Sequence, residues 1–347
     1  PEQIKDLFSN CRLIGRRFRL AHVHFGRDII EVATFRAYHA ASAVQSVHGM
    51  ILQDNVYGTI EEDVFRRDFT VNALYYNIAD FSVVDFVSGM QDLQKKQLNL
   101  IGEPDVRYRE DPVRMLRAIR FAAKLGFTIA PQSSKPIYSL NGLLTNIPAA
   151  RLFEEYLKLF LTGHALTTFR MLCEYGLFKH LFPNTEKHLN KNQLFIENAL
   201  RNTDMRVSDG KSVAPSFLLA VFLWYPLLEK TKKFEYNDAV DLVLSEQQRI
   251  LAVPRRFVGM VRDVWELQLR LERRHSARHI VSLHALSKFR AAYDFLLLRA
   301  ESGDTRAISA AKWWRAYEDA DEVAREKIIA SIKPSKSKGK HKKSISS

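Results

Sequence analysis

Two stretches of this chain set acids and arginines at spacings suited to nucleotide chemistry. Arg66-Arg67-Asp68-Phe69-Thr70-Val71-Asn72-Ala73 puts an aspartate and an asparagine four residues apart beside two arginines. Arg109-Glu110-Asp111-Pro112-Val113-Arg114-Met115-Leu116-Arg117 steps by three from Asp111 to Arg114 to Arg117. A guanidinium offers paired donors in a plane and a carboxylate offers paired acceptors, so these residues can present an edge to a nucleobase or bind its phosphates. Asp68 with Asn72, beside Arg67, could hold a ribose hydroxyl and a phosphate. A plainer account also exists for each. Asp63 and Glu62 stand four residues ahead of Arg67 and Arg66, and Asp111, Arg114 and Arg117 could form a ladder of ion pairs on a wet helix face, worth a few tenths of a kcal/mol per pair.

The elements that must position these groups are legible in part. Thr59-Ile60-Glu61-Glu62 is a capping box, which starts a helix at Thr59. Val64, Val71, Leu74, Tyr75 and Ile78 supply an apolar stripe that carries this helix through the first motif. A short strand pair within Asp80–Phe86 and a turn at Gly89 follow. Asp111-Pro112 opens a second helix with an aspartate cap and a proline in the first turn, and Gly126 stops it. On this helix Arg114, Arg117, Arg120 and Lys124 share one face, with Met115, Leu116, Ile119, Ala122 and Ala123 opposite. Upstream, residues 11 to 36 are expected to form a β-hairpin with its turn at Gly26-Arg27-Asp28, and 37–58 an irregular loop. Downstream, helices are expected over Ala150–Leu161, Thr167–Tyr175, Ala214–Tyr225, Phe257–Arg274, Phe289–Arg299 and Ala307–Ile329, without a repeat period.

Composition bounds the class. With 347 residues, 46% of them hydrophobic, the chain can bury more than one core, and its net charge of +13 points to a polyanionic partner, nucleic acid first. Residues 332–347 hold six lysines and no acids, the composition of a disordered basic tail. Two cysteines cannot build a disulfide framework or a four-ligand zinc site, and the eleven histidines lack metal-ligand spacing. A reducing cytoplasm fits, and no apolar stretch is long enough to span a membrane. The opening Pro1-Glu2-Gln3 has no signal-peptide core and is read as an internal start.

The run from Glu61 through Pro131 resembles the class II tRNA nucleotidyltransferase and bacterial poly(A) polymerase family. Arg-Arg-Asp-Phe-Thr-Val-Asn-Ala matches its ribose-binding motif, Asp85-x-x-x-Gly89-x-x-Asp92-Leu93 its connecting motif, and Glu110-Asp111-x-x-Arg114-x-x-Arg117 its base-recognition motif. The resemblance implies that Arg67 and Asp68 serve ribose and triphosphate, with Asp68 matching a catalytic acid of the poly(A) polymerase branch. It further implies that Asn72, Asp111, Arg114 and Arg117 contact the incoming nucleotide. Leu13–Val23, a basic strand with an interleaved aromatic, is similar to a segment of the poly(A) polymerase branch that CCA-adding enzymes lack. The likeness continues at Ile147–Glu155, Phe222–Glu229 and Lys288–Asp294.

The implied fold is α+β and mostly helical. It has a partial polymerase-β-like nucleotidyltransferase head with a small antiparallel sheet over 1–100, a helical neck over 101–165 and a helical body over 166–331. The implied activity is template-independent addition of AMP from ATP to RNA 3′ ends. A CCA-adding enzyme and a non-catalytic RNA-binding protein are the rivals. Arg17, Arg19, Arg262 and Arg270 are the expected RNA contacts, and RNA-decay proteins are possible partners. Mg2+ or Mn2+ is implied, held mainly by an Asp-x-Asp that the family carries ahead of the region present here. The Asp319-Ala320-Asp321 of this sequence reads instead as a wet face of a late helix, and Glu31 is a further acid with a possible place near the metal.

Overall fold

The computed structural model describes residues 1–15, 19–37, 57–273 and 276–331. The chain divides into two compact units, one of Pro1–Glu155 with Thr167–His180, the other of Tyr156–Leu166 with the described residues of Leu181–Ser347. The class is α+β and mostly helical, as expected.

The first unit opens with helix α1 (Glu2–Leu7) and an antiparallel sheet of three strands in the order β1 (Cys11–Ile14), β2 (Leu20–Phe25), β3 (Asp28–Val32). The expected hairpin is the β2–β3 half, and residues 11–14 form a separate strand. Phe25 pairs with Asp28 across a two-residue loop, and Gly26 takes φ +62°, a left-handed conformation that suits glycine. Alternation along β2 turns Ala21 and Val23 inward onto Cys11, Ile4, Leu13 and Val32. Arg17 and most of the expected 37–58 loop lie outside the described residues.

Helix α2 (Ile60–Arg66) has the expected capping box: Thr59 Oγ1 accepts from the Glu62 amide and the Glu62 carboxylate accepts from the Thr59 amide. It then stops short. The apolar stripe predicted one helix through Ile78, yet the chain leaves α2 at Arg67, makes a 3-10 turn over Thr70–Asn72, and enters β4 (Leu74–Tyr76), paired with β5 (Val83–Asp85). The 3.6-residue period failed because Phe69 and Ala73 are fully buried in an extended-then-turning segment. Tertiary contacts there outweigh helix propensity.

Helices α3 (Gly89–Lys95), α4 (Pro104–Glu110), α5 (Val113–Leu125), α6 (Pro131–Leu140), α7 (Ala149–Phe160) and α8 (Ala165–Glu174) follow, with β6 (Gln97–Leu98) and β7 (Thr128–Ile129) forming a short parallel pair. Gly126 ends α5 at φ +65°, and the Asp111 carboxylate accepts from the Val113 amide at its start, both as expected.

Short helix α9 (Phe178–Leu181) leads on from the first unit. The second is helical: α10 (Pro183–Glu186), α11 (Leu189–Ser208), α12 (Pro215–Lys230), α13 (Tyr236–Ile250), α14 (Arg255–Glu272), α15 (Ala277–His284), α16 (Phe289–Glu301), α17 (Thr305–Glu318) and α18 (Glu322–Ala330). Trp265 and Trp314 are buried, each donating its indole N–H to a carbonyl, of Ala220 and Leu271. The span read as one helix over Ala307–Ile329 is two. Asp321 caps α18 by accepting from the Ala324 amide, so Asp319-Ala320-Asp321 is a helix junction and not a helix face.

Candidate functional site

The break after α2 builds the site. With the chain out of the helix at Arg67, Asp68 accepts from its neighbours: Oδ1 from the Phe69 amide at 2.9 Å and from Asn72 Nδ2 at 3.1 Å. Its other oxygen, Oδ2, takes Nε and Nη2 of Arg117, each at 2.5 Å, from a point 49 residues away in the chain. Arg117 is therefore no rung of an intrahelical ladder. It joins the two motifs.

A cleft of about 520 Å³ is lined by Arg36, Arg66, Arg67, Asp68, Asn72, Asp111, Arg114, Arg117 and Phe121. All six residues expected to act on the nucleotide (Arg67, Asp68, Asn72, Asp111, Arg114 and Arg117) are among them. Five arginines face two aspartates, so the cleft favours an anion. Arg117 also lies over the Phe121 ring at 5.2 Å. Arg114 Nη1 donates to Glu110 at 2.9 Å and to the Arg107 carbonyl at 2.7 Å. Its Nε and Nη2 have no protein partner among the described residues, which leaves donors for a ligand. The expected Asp111–Arg114 pairing does not occur; the Asp111 carboxylate takes Arg151 from α7 at 2.6 Å. That contact spans 40 residues, out of reach of a helix-spacing argument.

Behind the cleft stand groups that the motifs do not flag. Asp63, 2% exposed, accepts from Arg66, Arg67, Tyr75 and the Arg36 amide. Burial pushes this carboxyl up, but hydrogen bonds from Tyr75 and Arg66 outweigh it and hold the group below the usual aspartate range. Burial and the same carboxylate raise the Tyr75 hydroxyl to about 12. Arg67 is thereby fixed by Asp63, Tyr75 and the Asn72 carbonyl, with Nη2 left over among the described residues.

Arg107 is 5% exposed. Nη2 donates to the carbonyls of Arg66 (3.0 Å) and Arg67 (2.7 Å), and Nη1 to Glu110 (2.8 Å), the carboxylate that also takes Arg114. One guanidinium thus ties the backbone just ahead of Asp68 to the side chain that holds Arg114. Helix spacing accounts for its pair with Glu110 but not for the clamp, because the two carbonyls lie 40 and 41 residues upstream.

The connecting motif is a brace. Asp85 accepts from the amides of Val87, Gly89 and Met90, Asp92 takes the Thr70 hydroxyl at 2.6 Å and Asn99 Nδ2 at 2.8 Å, and a Cβ on Gly89 would meet the Thr70 carbonyl at 2.4 Å. Glycine is required there by space and not by φ.

The remaining expected residues lie elsewhere. Arg19 is exposed and pairs with Glu2 at 2.6 Å, and Glu31 on β3 sits 3.2 Å from His22 Nε2. Arg262 pairs with Asp241, and Arg270 is half-buried on the same helix, α14. Among the described residues no group of three or more His, Cys, Asp or Glu could hold a metal ion. In the cleft, Asp68 and Asp111 are both engaged by arginines, which does not fit a metal centre. No described helix is long and apolar enough to cross a membrane.

Comparison with known proteins identifies the family. Three family models match: the poly A polymerase head domain over residues 1–99, the "probable RNA and SrmB-binding site of polymerase A" over 126–189, and the polymerase A arginine-rich C-terminus over 230–346. Poly(A) polymerase I of Escherichia coli is 49% identical over 92% of this chain and 73% of its own length. That of Haemophilus influenzae is 48% identical over 95% and 77%. The CCA-adding enzyme of Bacillus subtilis is more distant, at 30% over 52% of this chain and 44% of its own. Among solved structures, a Bacillus stearothermophilus CCA-adding enzyme in complex with CTP matches with TM-score 0.58 at 22% identity, covering 91% of this chain and 70% of that one, a likeness of fold. The relatives favour the branch chosen from the Leu13–Val23 segment, and the chain belongs to the bacterial poly(A) polymerase family.

Proposed function

We propose that the arginine-lined cleft binds ATP for template-independent transfer of AMP to RNA 3′ ends, the activity of a polynucleotide adenylyltransferase. The observation that carries this reading is the convergence of Arg67, Asp68, Asn72, Asp111, Arg114 and Arg117 on one cleft. The free Nη2 of Arg67 faces the sugar and phosphates. Asp68, oriented by Asn72 and Arg117, is the acid at the reacting end. Arg114, with Nε and Nη2 unclaimed, reads the adenine edge together with Asp111. Charge-assisted donors of this kind contribute about 1.5–3 kcal/mol each when partly buried.

Nucleotidyltransferases of this family use divalent metals. Mg2+ or Mn2+ would need carboxylates beyond the described set, so each role above is one the chain's own residues can perform. Arg19, Arg262 and Arg270, together with Arg17, would contribute sequence-independent, salt-sensitive contacts to RNA. The head, neck and body division at 100 and 165 follows the same reading, and substrates of this kind belong to the cytoplasm.

The test is nucleotide binding. Arg114→Ala is expected to weaken ATP about 10- to 100-fold and to narrow the preference over CTP. An unchanged nucleotide profile overturns the role of Arg114.

A further inference from the structure

The first unit carries an aromatic pair outside the cleft, one ring buried and the other exposed. Tyr138 on α6 and Tyr175, just past α8, lie ring over ring, with centroids 4.9 Å apart and 29° between their planes. Tyr175 is 9% exposed, whereas Tyr138 is 52% exposed, so the outer ring meets solvent. The inner ring is held. Asn141 Nδ2 donates to the carbonyls of Tyr138 (3.0 Å) and Tyr175 (3.2 Å), and Asn141 Oδ1 lies 3.0 Å from His180 Nε2. Gly176 makes the turn at φ +67°, with Lys179 Nζ 3.8 Å from where its Cβ would stand. Lys135, three residues before Tyr138 on the same side of α6, and Lys179 are both exposed, as is the acid Glu174.

A rigid two-ring stack with an open outer face offers its next place to a third flat ring. Ammonium groups at its margin suit phosphates on either side. Stacking on an aromatic face is tolerant of base identity, which suits a primer whose 3′ end is extended without a template. We infer that Tyr138 is a stacking platform for one base of the single-stranded RNA primer, with Lys135 and Lys179 taking adjoining phosphates. This rests on the polymerase reading above and adds residues to it within the matched 126–189 region.

The experiment is fluorescence anisotropy with a 5′-labelled oligo(A), on wild type, Tyr138→Ala, Tyr138→Leu, Tyr138→Phe and the double variant Lys135→Ala/Lys179→Ala. Tyr138→Leu keeps an apolar cover on Tyr175 and lacks a π-face, so it guards against an unfolding artefact. Tyr138→Ala and Tyr138→Leu are expected to bind about 5- to 150-fold more weakly with the salt dependence unchanged, and Tyr138→Phe to bind within about 2-fold of wild type. The lysine variant is expected to lower the slope of log K against log salt by about 0.7 per lysine. Tyr138→Ala and Tyr138→Leu at wild-type affinity, with wild type binding RNA, overturns the platform and leaves the polymerase reading standing. Wild type that fails to bind RNA overturns both.

Discussion

Arg107→Met is the perturbation that most fully exercises the architecture of the cleft. Methionine keeps the apolar bulk of the side chain and deletes the guanidinium. The carbonyls of Arg66 and Arg67 lose their donor at 3.0 and 2.7 Å, and Glu110 is left with Arg114 alone. Arg107 is almost fully enclosed, with its side chain 6% exposed against 25% for Glu110, so solvent compensates little. Breaking a buried ion pair costs about 3–5 kcal/mol, and hydrogen bonds to a charged group about 1.5–3 kcal/mol each. These contributions overlap, so a loss of about 3–5 kcal/mol is expected, which in a unit of this size lowers Tm by roughly 6–20 °C. The same change frees the segment carrying Asp68 and the carboxylate anchoring Arg114, so ATP affinity should fall with stability. The assay is calorimetric melting alongside ATP titration well below the new Tm. Glu110→Gln should cost less, since its amide oxygen still accepts from both arginines. A Tm within about 2 °C of wild type, with ATP affinity unchanged, would refute the reasoning.

Two further outcomes follow from groups around the cleft. Because Asp63 is held below its ordinary value of 3.8, its contribution to stability is present above that pH and is lost as pH falls through the lower folded value. Tyr75, raised to about 12, stabilises the fold below its ordinary value of 10.0, and that contribution fades as pH rises towards 12. Asp63→Asn should therefore flatten the acid limb of Tm against pH and, by removing the carboxylate that helps raise Tyr75, shift the alkaline limb to lower pH as well; an unaltered acid limb contradicts the assignment. Gly89→Ala should cost about 1–3 kcal/mol in urea unfolding, because its Cβ would stand 2.4 Å from the Thr70 carbonyl and displace the turn behind Asp68. A neutral result would mean that the α3 contact gives way freely.

Local chemistry was legible and long-range pairing was not. The Thr59 capping box, the Gly26 and Gly126 turns and the apolar face of α5 each depend on residues within one turn of each other, so the sequence displays them directly. The convergence of the two arginine motifs came from family resemblance, since nothing in their spacing joins Asp68 to Arg117. Helix α2 was over-extended because Val71, Leu74, Tyr75 and Ile78 continue a helical period by coincidence, while burial of Phe69 and Ala73 dictates the turn. The 20-residue helix α11 is not legible in the sequence because polar residues interrupt its face. Arg107 and Arg151 escaped notice for one reason: in a chain rich in arginine, only the folded backbone tells a buried clamp from a wet cation.

The most direct test of the account is primer extension by the protein. A 5′-labelled RNA would be incubated with Mg2+ and each nucleoside triphosphate in turn, for wild type and for Asp68→Asn. The account predicts long runs of A from ATP, little incorporation from CTP, and at least about 100-fold less transfer by Asp68→Asn. Addition of two C residues and then a single A, or undiminished transfer by Asp68→Asn, would contradict it.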